Sequence, residues 1–185
     1  ALEDLPGLDR VRFTTSHPEE MDERLIDAMA QCRKAGLFLH LPPQSGSDRM
    51  LRRMARGYTN ERYREIIAQL RAAIPGVQIG ADIIVGFSGE TDDDFQATVD
   101  LVRDVAFSQS FIFRYSPRPG TPAFGHLPDD VPDSVKRERL GQLMELQAGI
   151  MRARNQSLVG QVHEVLVEGA SVRDPRRQFG RNLAY

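Results

Sequence analysis

The sequence predicts an α/β protein built on a parallel sheet with helical crossovers. The first observation behind this is that strand-type apolar runs alternate four times with segments of helical period. A second is the stretch at 80–94, GADIIVGFSGETDDD, which has the form of a strand, a glycine turn and a capped helix. Ile79, Ala81, Ile83, Ile84 and Val85 make its apolar run, which stops at Gly86-Phe87-Ser88-Gly89. Two glycines in four residues let the chain turn sharply and bring a ligand close to the backbone. Thr91 is predicted to cap the following helix, with Asp94 as the acidic half of a capping box. In α/β folds such corners lie at the carboxyl ends of strands, where ligands bind. Glu90, Asp92, Asp93 and Asp94 crowd the first helical turn, satisfy its dipole and repel phosphate. A neutral or cationic ligand suits this corner better than a nucleoside triphosphate, and an ordinary well-capped turn is the simpler alternative.

In chain order, Asp9 to Thr15 alternates Val11 and Phe13 with polar residues and predicts a strand, ended by Ser16-His17-Pro18. A helix is expected from Glu19 to Lys34, with Met21, Leu25, Ala28, Met29 and Cys32 on its apolar stripe and Gly36 closing it. That stripe makes Cys32 a packed core thiol rather than a nucleophile. Leu37 to Leu41 reads as a second strand, stopped by Pro42-Pro43. Gln44-Ser45-Gly46-Ser47 is a polar turn, and Ser47 or Asp48 suits the cap of a short helix carrying Arg49, Arg52, Arg53 and Arg56 on one face. A further helix runs from Asn60 to Ala73, and Pro75-Gly76 turns the chain into the Val77–Val85 strand. After the helix of the acidic corner comes a fourth strand, Phe107 to Tyr115. Residues 117–133 are rich in Pro, Gly and Asp and read as a long loop. A long amphipathic helix follows from Ser134 to Leu158, with Leu140, Leu143, Ile150, Met151 and Leu158 inward and Lys136, Arg137, Arg139, Arg152 and Arg154 outward. Gln161 to Glu168 is a strand that opens a new unit. Four parallel strands of a barrel would leave both lateral edges unpaired, so a fragment with edge-strand association is expected.

Composition narrows the function. With 41% hydrophobic and 27% charged residues and a net charge of −2, the chain is an ordinary globular one without a generally basic coat. No apolar run has membrane-spanning length, and a cytoplasmic protein with no membrane partner is the expectation. A single cysteine excludes an internal disulfide and any multi-cysteine metal site made from this chain alone.

Several motifs together carry a resemblance. HLPPQSGSDRMLRRM at 40–54, DIIVGFSGET at 82–91 and YSPRPGTPA at 115–123, with FTTSHP at 13–18 upstream, resemble the radical S-adenosylmethionine (SAM) methylthiotransferases. They are most similar to the branch acting on isopentenyl-modified adenosine in tRNA. VLVEGASVRDP at 165–175 resembles the start of a TRAM domain, a small RNA-binding β-barrel. Ser88 stands where the family usually has proline.

The resemblance implies half of a partial, TIM-like (β/α) radical SAM barrel over 1–133, a connecting helix over 134–160 and an incomplete TRAM domain over 161–185. It also implies SAM as cofactor, two 4Fe–4S clusters in the full-length enzyme, and insertion of a methylthio group at C2 of the modified adenosine beside the anticodon. The partners would be the tRNA anticodon stem-loop and an N-terminal part of the same polypeptide. The cluster-binding cysteines are absent here, so no residue is assigned to metal or to catalysis and the fragment alone is expected to be inactive. The alternatives are a methylthiotransferase acting on threonylcarbamoyl-adenosine or a ribosomal protein, or a non-catalytic RNA-binding module.

Matched to the chemistry of SAM, Gln44, Ser45 and Ser47 offer polar groups for its ribose or carboxylate. Gly86 lets adenine lie against backbone, Asp82 and Glu90 accept from hydroxyl or amino groups, and Tyr115 and Ser116 meet adenine. Loop bracing is the simpler role for Glu90, and core packing for Tyr115. Arg49, Arg53 and Arg118 suit RNA phosphates, and His17 suits the substrate side. His40 reads as a satisfied core histidine and His163 as a surface one.

Overall fold

A computed structural model describes residues 4–13, 17–182 and 184. Three strands, β1 (Phe38–His40), β2 (Gln78–Val85) and β3 (Gln109–Arg114), form one parallel sheet in that order. Between them run α2 (Asp48–Arg53), α3 (Asn60–Ala73) and α4 (Asp92–Val105), preceded by α1 (Glu23–Gln31). The parallel α/β architecture is therefore the one the sequence predicts.

Its first strand is not. Of Asp9 to Thr15, only Val11 pairs with the sheet region, in a single parallel bridge to Ala35, and Thr14 and Thr15 lie outside the described residues. The helix expected from Glu19 to Lys34 is a 3-10 turn at Pro18–Glu20 followed by α1, capped by Asp22. It ends at Cys32, which is extended and half-buried rather than deep in the core, and Gly36 instead donates its N–H to Val11 at 2.8 Å.

The sheet has two different faces, set by the period-two alternation of strand side chains. Leu39, Ile79, Ala81, Ile83 and Val85 point toward the helices and are buried. On the other face the register aligns His40 with Gly80, Asp82 with Phe111 and Ile84 with Phe113. Phe111 and Phe113 are 49% and 51% exposed, so this second face is open.

Beyond β3, residues 117–133 hold a short helix, α5 (Pro122–His126), capped by Thr121, where a loop is expected. The long helix α6 (Asp133–Ser157) lies within a residue of its expected bounds and packs Leu143 fully into the core. Its Gln147 binds the Phe107 carbonyl at 2.8 Å and the Ser110 hydroxyl at 3.1 Å. The outward assignment of Lys136 and Arg139 is wrong, because they are 4% and 5% exposed. Residues 136, 140, 143 and 147 follow the three-and-four spacing of one helix face, and that spacing overrides residue type. The chain closes on an antiparallel hairpin, β4 (Leu166–Ala170) and β5 (Gln178–Arg181), rather than one strand from Gln161. His163 is exposed.

The capping box at the head of α4 is present. Thr91 Oγ1 accepts from the Asp94 N–H at 3.3 Å, and Asp94 Oδ2 accepts from the Thr91 N–H at 2.9 Å. Asp94 also accepts from Ser47 Oγ at 2.5 Å and forms an ion pair with Arg49. Burial alone would raise its pKa, but the hydrogen bonds from Arg49, Ser47 and Thr91 outweigh this and hold it well below the usual carboxylate range. A depressed carboxylate stabilises the fold above its unfolded-state pKa, and that contribution fades as pH falls through the folded value. Asp94→Asn is expected to cost on the order of 2–3 kcal/mol at neutral pH. The difference between variant and parent should shrink steadily in urea titrations carried from pH 5 toward pH 2. A pH-independent difference would assign the loss to shape rather than charge.

Gly46 lies against the backbone of Ala97 and Thr98, where a Cβ would overlap both. Gly46→Ala should therefore destabilise by about 1–3 kcal/mol, read as a lowered urea midpoint.

Candidate ligand site at the strand ends

The carboxyl ends of the three strands share one hollow of about 470 Å³. Gln44 enters it after β1, Asp82, Ile84 and Phe87 from β2 and its turn, and Tyr115, Ser116 and Arg118 after β3. Five of the residues expected at a ligand, Gln44, Asp82, Tyr115, Ser116 and Arg118, are thus brought together.

Gln44 reaches the hollow by a strained route. Its φ is +64°, a left-handed conformation that costs a non-glycine residue roughly 1–2 kcal/mol. Two bonds to β2 hold it there: its N–H donates to the Asp82 carbonyl at 3.0 Å, and its carbonyl accepts from Ile84 at 2.9 Å. Pro42 and Pro43 cannot donate to the sheet, so pairing resumes only at Gln44. Asp82 is fixed by His40, whose Nε2 lies 3.3 Å from its carboxylate.

The other expected residues serve the frame. Ser45 is 1% exposed and its hydroxyl meets that of Thr98 at 3.3 Å. Ser47 caps α2 by accepting from Met50 and donates to Asp94. Both face α4 rather than the hollow. Gly86 adopts φ +71° and donates to Glu90 Oε2 at 2.7 Å. Glu90 is buried and takes a second bond at the same oxygen from Arg139, also at 2.7 Å. Burial pushes its carboxyl pKa up, against the Gly86 N–H and the Arg139 charge. This is the loop-bracing role.

Arg49 donates to the Gly89 carbonyl at 2.5 Å besides pairing with Asp94. Arg53 donates to the Ser88 carbonyl at 3.0 Å and to its hydroxyl at 3.2 Å. The two arginines thus clasp the glycine turn, and Ser88 supplies an acceptor that proline would lack. His17 accepts from the Glu19 N–H at 3.4 Å and meets the edge of Tyr58 at 5.6 Å between ring centres. Burial raises the Tyr58 pKa to about 12, and its hydroxyl donates to the carbonyls of Pro42 and Pro43.

Sequence reasoning missed four residues here. Phe87 walls the hollow and meets the Tyr115 ring edge-on at 4.6 Å. Arg56 also lines it, with Nη1 3.4 Å from His17 Nε2 and Nε buried without a hydrogen-bond partner among the described residues. The Tyr115 hydroxyl is likewise buried and unpartnered. Guanidinium is always charged and strongly donating, so burying one of its N–H groups without a partner is costly. Lys136 and Arg139 are the remaining two, and their signal was helical spacing. Arg56 was expected on the arginine face of the short helix, but α2 ends at Arg53 and Arg56 lies beyond it, against His17 and the hollow.

No cluster of three or more His, Cys, Asp or Glu among the described residues is arranged to hold a metal, and Cys32 lines a separate depression beside Pro75. No helix among the described residues is long and apolar enough to cross a membrane.

Comparisons with known proteins bear on the family and the fold. A family model, the Radical SAM superfamily, matches residues 2–102. The chain is 49% identical to a tRNA-2-methylthio-N(6)-dimethylallyladenosine synthase of Bordetella petrii, covering 97% of this chain and 37% of the relative. The enzyme of the same name from Ralstonia nicotianae is 51% identical, over 96% of this chain and 39% of its own length. That from Pelotomaculum thermopropionicum is 46% identical, over 98% of this chain and 40% of its own. The chain thus spans about two fifths of the length of these relatives. Among solved structures, coproporphyrinogen III oxidase from Escherichia coli, described as a radical SAM enzyme, superposes with a TM-score of 0.61 at 18% identity. It covers 77% of this chain and 32% of its own, a likeness of fold.

Proposed function

The chain belongs to the radical SAM superfamily, and we propose that it supplies the SAM-binding strand ends of a tRNA methylthiotransferase. The reaction is insertion of a methylthio group at C2 of an isopentenyl-modified adenosine beside the anticodon, in the cytoplasm. The observation that carries this is the shared hollow, where groups from three strand ends converge and two buried donors lack partners. The names of its relatives support the tRNA substrate over threonylcarbamoyl-adenosine or a ribosomal protein.

The residues fit SAM group by group. Asp82, steadied by His40, accepts from the ribose hydroxyls. Ile84 and Phe87 give adenine an apolar wall, and Tyr115 and Ser116 reach its polar edge. Gln44 offers an amide held out on a strained backbone, and Arg56 faces the carboxylate of the aminoacyl arm. Gly86 and Glu90 shape the turn behind this wall, and Ser45 and Ser47 fix the α2 cap beside it. Bound SAM, cleaved by one electron, supplies the radical that activates the substrate carbon.

This chain does not fit the iron–sulfur clusters that deliver the electron and take part in supplying sulfur. Such clusters need several thiolates, and the sequence has one cysteine. On this reading the thiolates come from another part of the same polypeptide, in keeping with the greater length of the relatives. The RNA approaches the open mouth, which Arg118 lines, and His17 stands behind it against Arg56.

Two ligands separate the parts of this assignment. S-adenosylhomocysteine carries the aminoacyl carboxylate and 5′-methylthioadenosine does not. Measured by ligand-observed NMR, Arg56→Gln should weaken the first by about ten-fold and leave the second within about two-fold. Equal losses for both would make Arg56 a support for the cavity rather than a carboxylate ligand. Failure of the parent chain to bind either nucleoside at millimolar concentration would remove the cavity from the SAM site. Anaerobic reconstitution with iron and sulfide is expected to leave the 185-residue chain without visible cluster absorbance. A stoichiometric, stable cluster would overturn the division of the site between two parts of the polypeptide.

A further inference from the structure

The first two turns of α6 carry two buried cations that do not themselves line the hollow. Lys136 and Arg139 are 4% and 5% exposed, and long cationic side chains are seldom buried so deeply unless paired. Arg139 donates through Nη1 to the Glu90 carbonyl at 3.2 Å and to Glu90 Oε2 at 2.7 Å, and through Nη2 to Asp92 at 2.7 Å. Glu90 Oε2 passes the contact on by accepting the Gly86 N–H at 2.7 Å. Lys136 donates to the Tyr115 carbonyl at 3.3 Å and pairs with Asp129, and its ammonium lies 5.4 Å from the Tyr115 ring centre. Its stem fills the space that a Cβ on Gly86 would need. One helix therefore grips the turn after β2 and the residue after β3 at once. Phe87 and Tyr115, the two rings so held, both wall the hollow.

We propose that Lys136 and Arg139 are positioning residues that set the gap between the Gly86 turn and Tyr115, and with it the width of the slot for the adenosyl group. The inference rests on the SAM reading of the hollow. Without the Arg139 fork, the buried Glu90 carboxylate keeps only Gly86 as a partner, and the turn carrying Phe87 is free to shift. Without Lys136, the Tyr115 carbonyl loses its donor and the space beneath Gly86 opens. Both residues lie beyond the stretch matched by the family model, so the helix after the sheet completes the site from outside it.

The test compares affinity for 5′-methylthioadenosine in Arg139→Gln, Lys136→Met and Leu70→Ala, each at a temperature where circular dichroism shows the variant folded. Leu70 is fully buried on the inward face of α3 and does not line the hollow, so its truncation matches the loss of stability without touching the grip. The α6 variants are expected to bind about ten-fold more weakly, and Leu70→Ala within about two-fold of the parent. If the buried cations prove indispensable for folding, Asp92→Asn and Asp129→Asn loosen the same two grips from their exposed ends and should weaken binding several-fold. Affinities unchanged in all the grip variants, or an equal loss in Leu70→Ala, would overturn the positioning role while leaving the SAM reading intact. A parent chain that does not bind 5′-methylthioadenosine would instead overturn the SAM reading.

Discussion

One carboxylate oxygen, Glu90 Oε2, ties the turn at the end of β2 to the helix that follows the sheet. It accepts both the Gly86 N–H and the Arg139 guanidinium, each at 2.7 Å, inside a side chain with no solvent exposure. A buried ion pair of this kind adds little net stability, because desolvation of two charges offsets most of their attraction. Breaking it is another matter, since the remaining charge is left buried and unpaired. The pair therefore fixes geometry more than it strengthens the fold. It lets a chain with two glycines in four residues hold a single turn.

The same logic disposes of the acidic corner. Four acids crowd the head of α4, and on sequence they set the character of any ligand. In the fold Asp94 is consumed by Arg49, Ser47 and Thr91, Glu90 by Arg139 and Gly86, and Asp92 by Arg139. Asp93 alone faces solvent without such a bond among the described residues. What the hollow meets is Asp82 with its histidine, and the arginines at 56, 114 and 118. A ligand with hydroxyls at one end and a carboxylate at the other matches that distribution better than the row of acids suggested.

Much of this was legible because it rests on local rules. The Thr91–Asp94 capping box, the cap at Ser47 and the helix from Asn60 to Ala73 follow from residue type and spacing within a few positions. The strand at Asp9 did not form as expected over its described residues, because two apolar residues in alternation do not make a strand without a partner, and among the described residues only Val11 finds one. Ser45 and Ser47 were assigned to ligand because small hydroxyls at a helix start suit one. They are equally suited to a neighbouring helix, and α4 lies closer. Lys136 and Arg139 were placed outside on charge, although their spacing with Leu143 and Gln147 put them inside. That error hid the helix's part in the site, because long-range pairs such as Arg139 with Glu90 leave no local trace.

The distribution of satisfied and unsatisfied groups points to where this chain does its work. Around the frame, many buried polar atoms are paired: Asp94 gathers several donors, Asn60 donates to the Asp48 carboxylate, and Gln147 donates to the Phe107 carbonyl and accepts from the Ser110 hydroxyl. At the hollow the pattern reverses. Arg56 Nε and the Tyr115 hydroxyl are buried without partners, and Gln44 is held at a positive φ. An unmet buried donor costs about 1–3 kcal/mol and left-handed backbone roughly another 1–2, against a total stability of only about 5–15. Gln69 Oε1 and Glu90 Oε1 are also buried without a partner among the described residues, but only Arg56 and Tyr115 belong to residues that line the hollow. The ligand we propose for the hollow, an adenosyl group with a carboxylate arm, would cover its aromatic wall and offer Arg56 an acceptor.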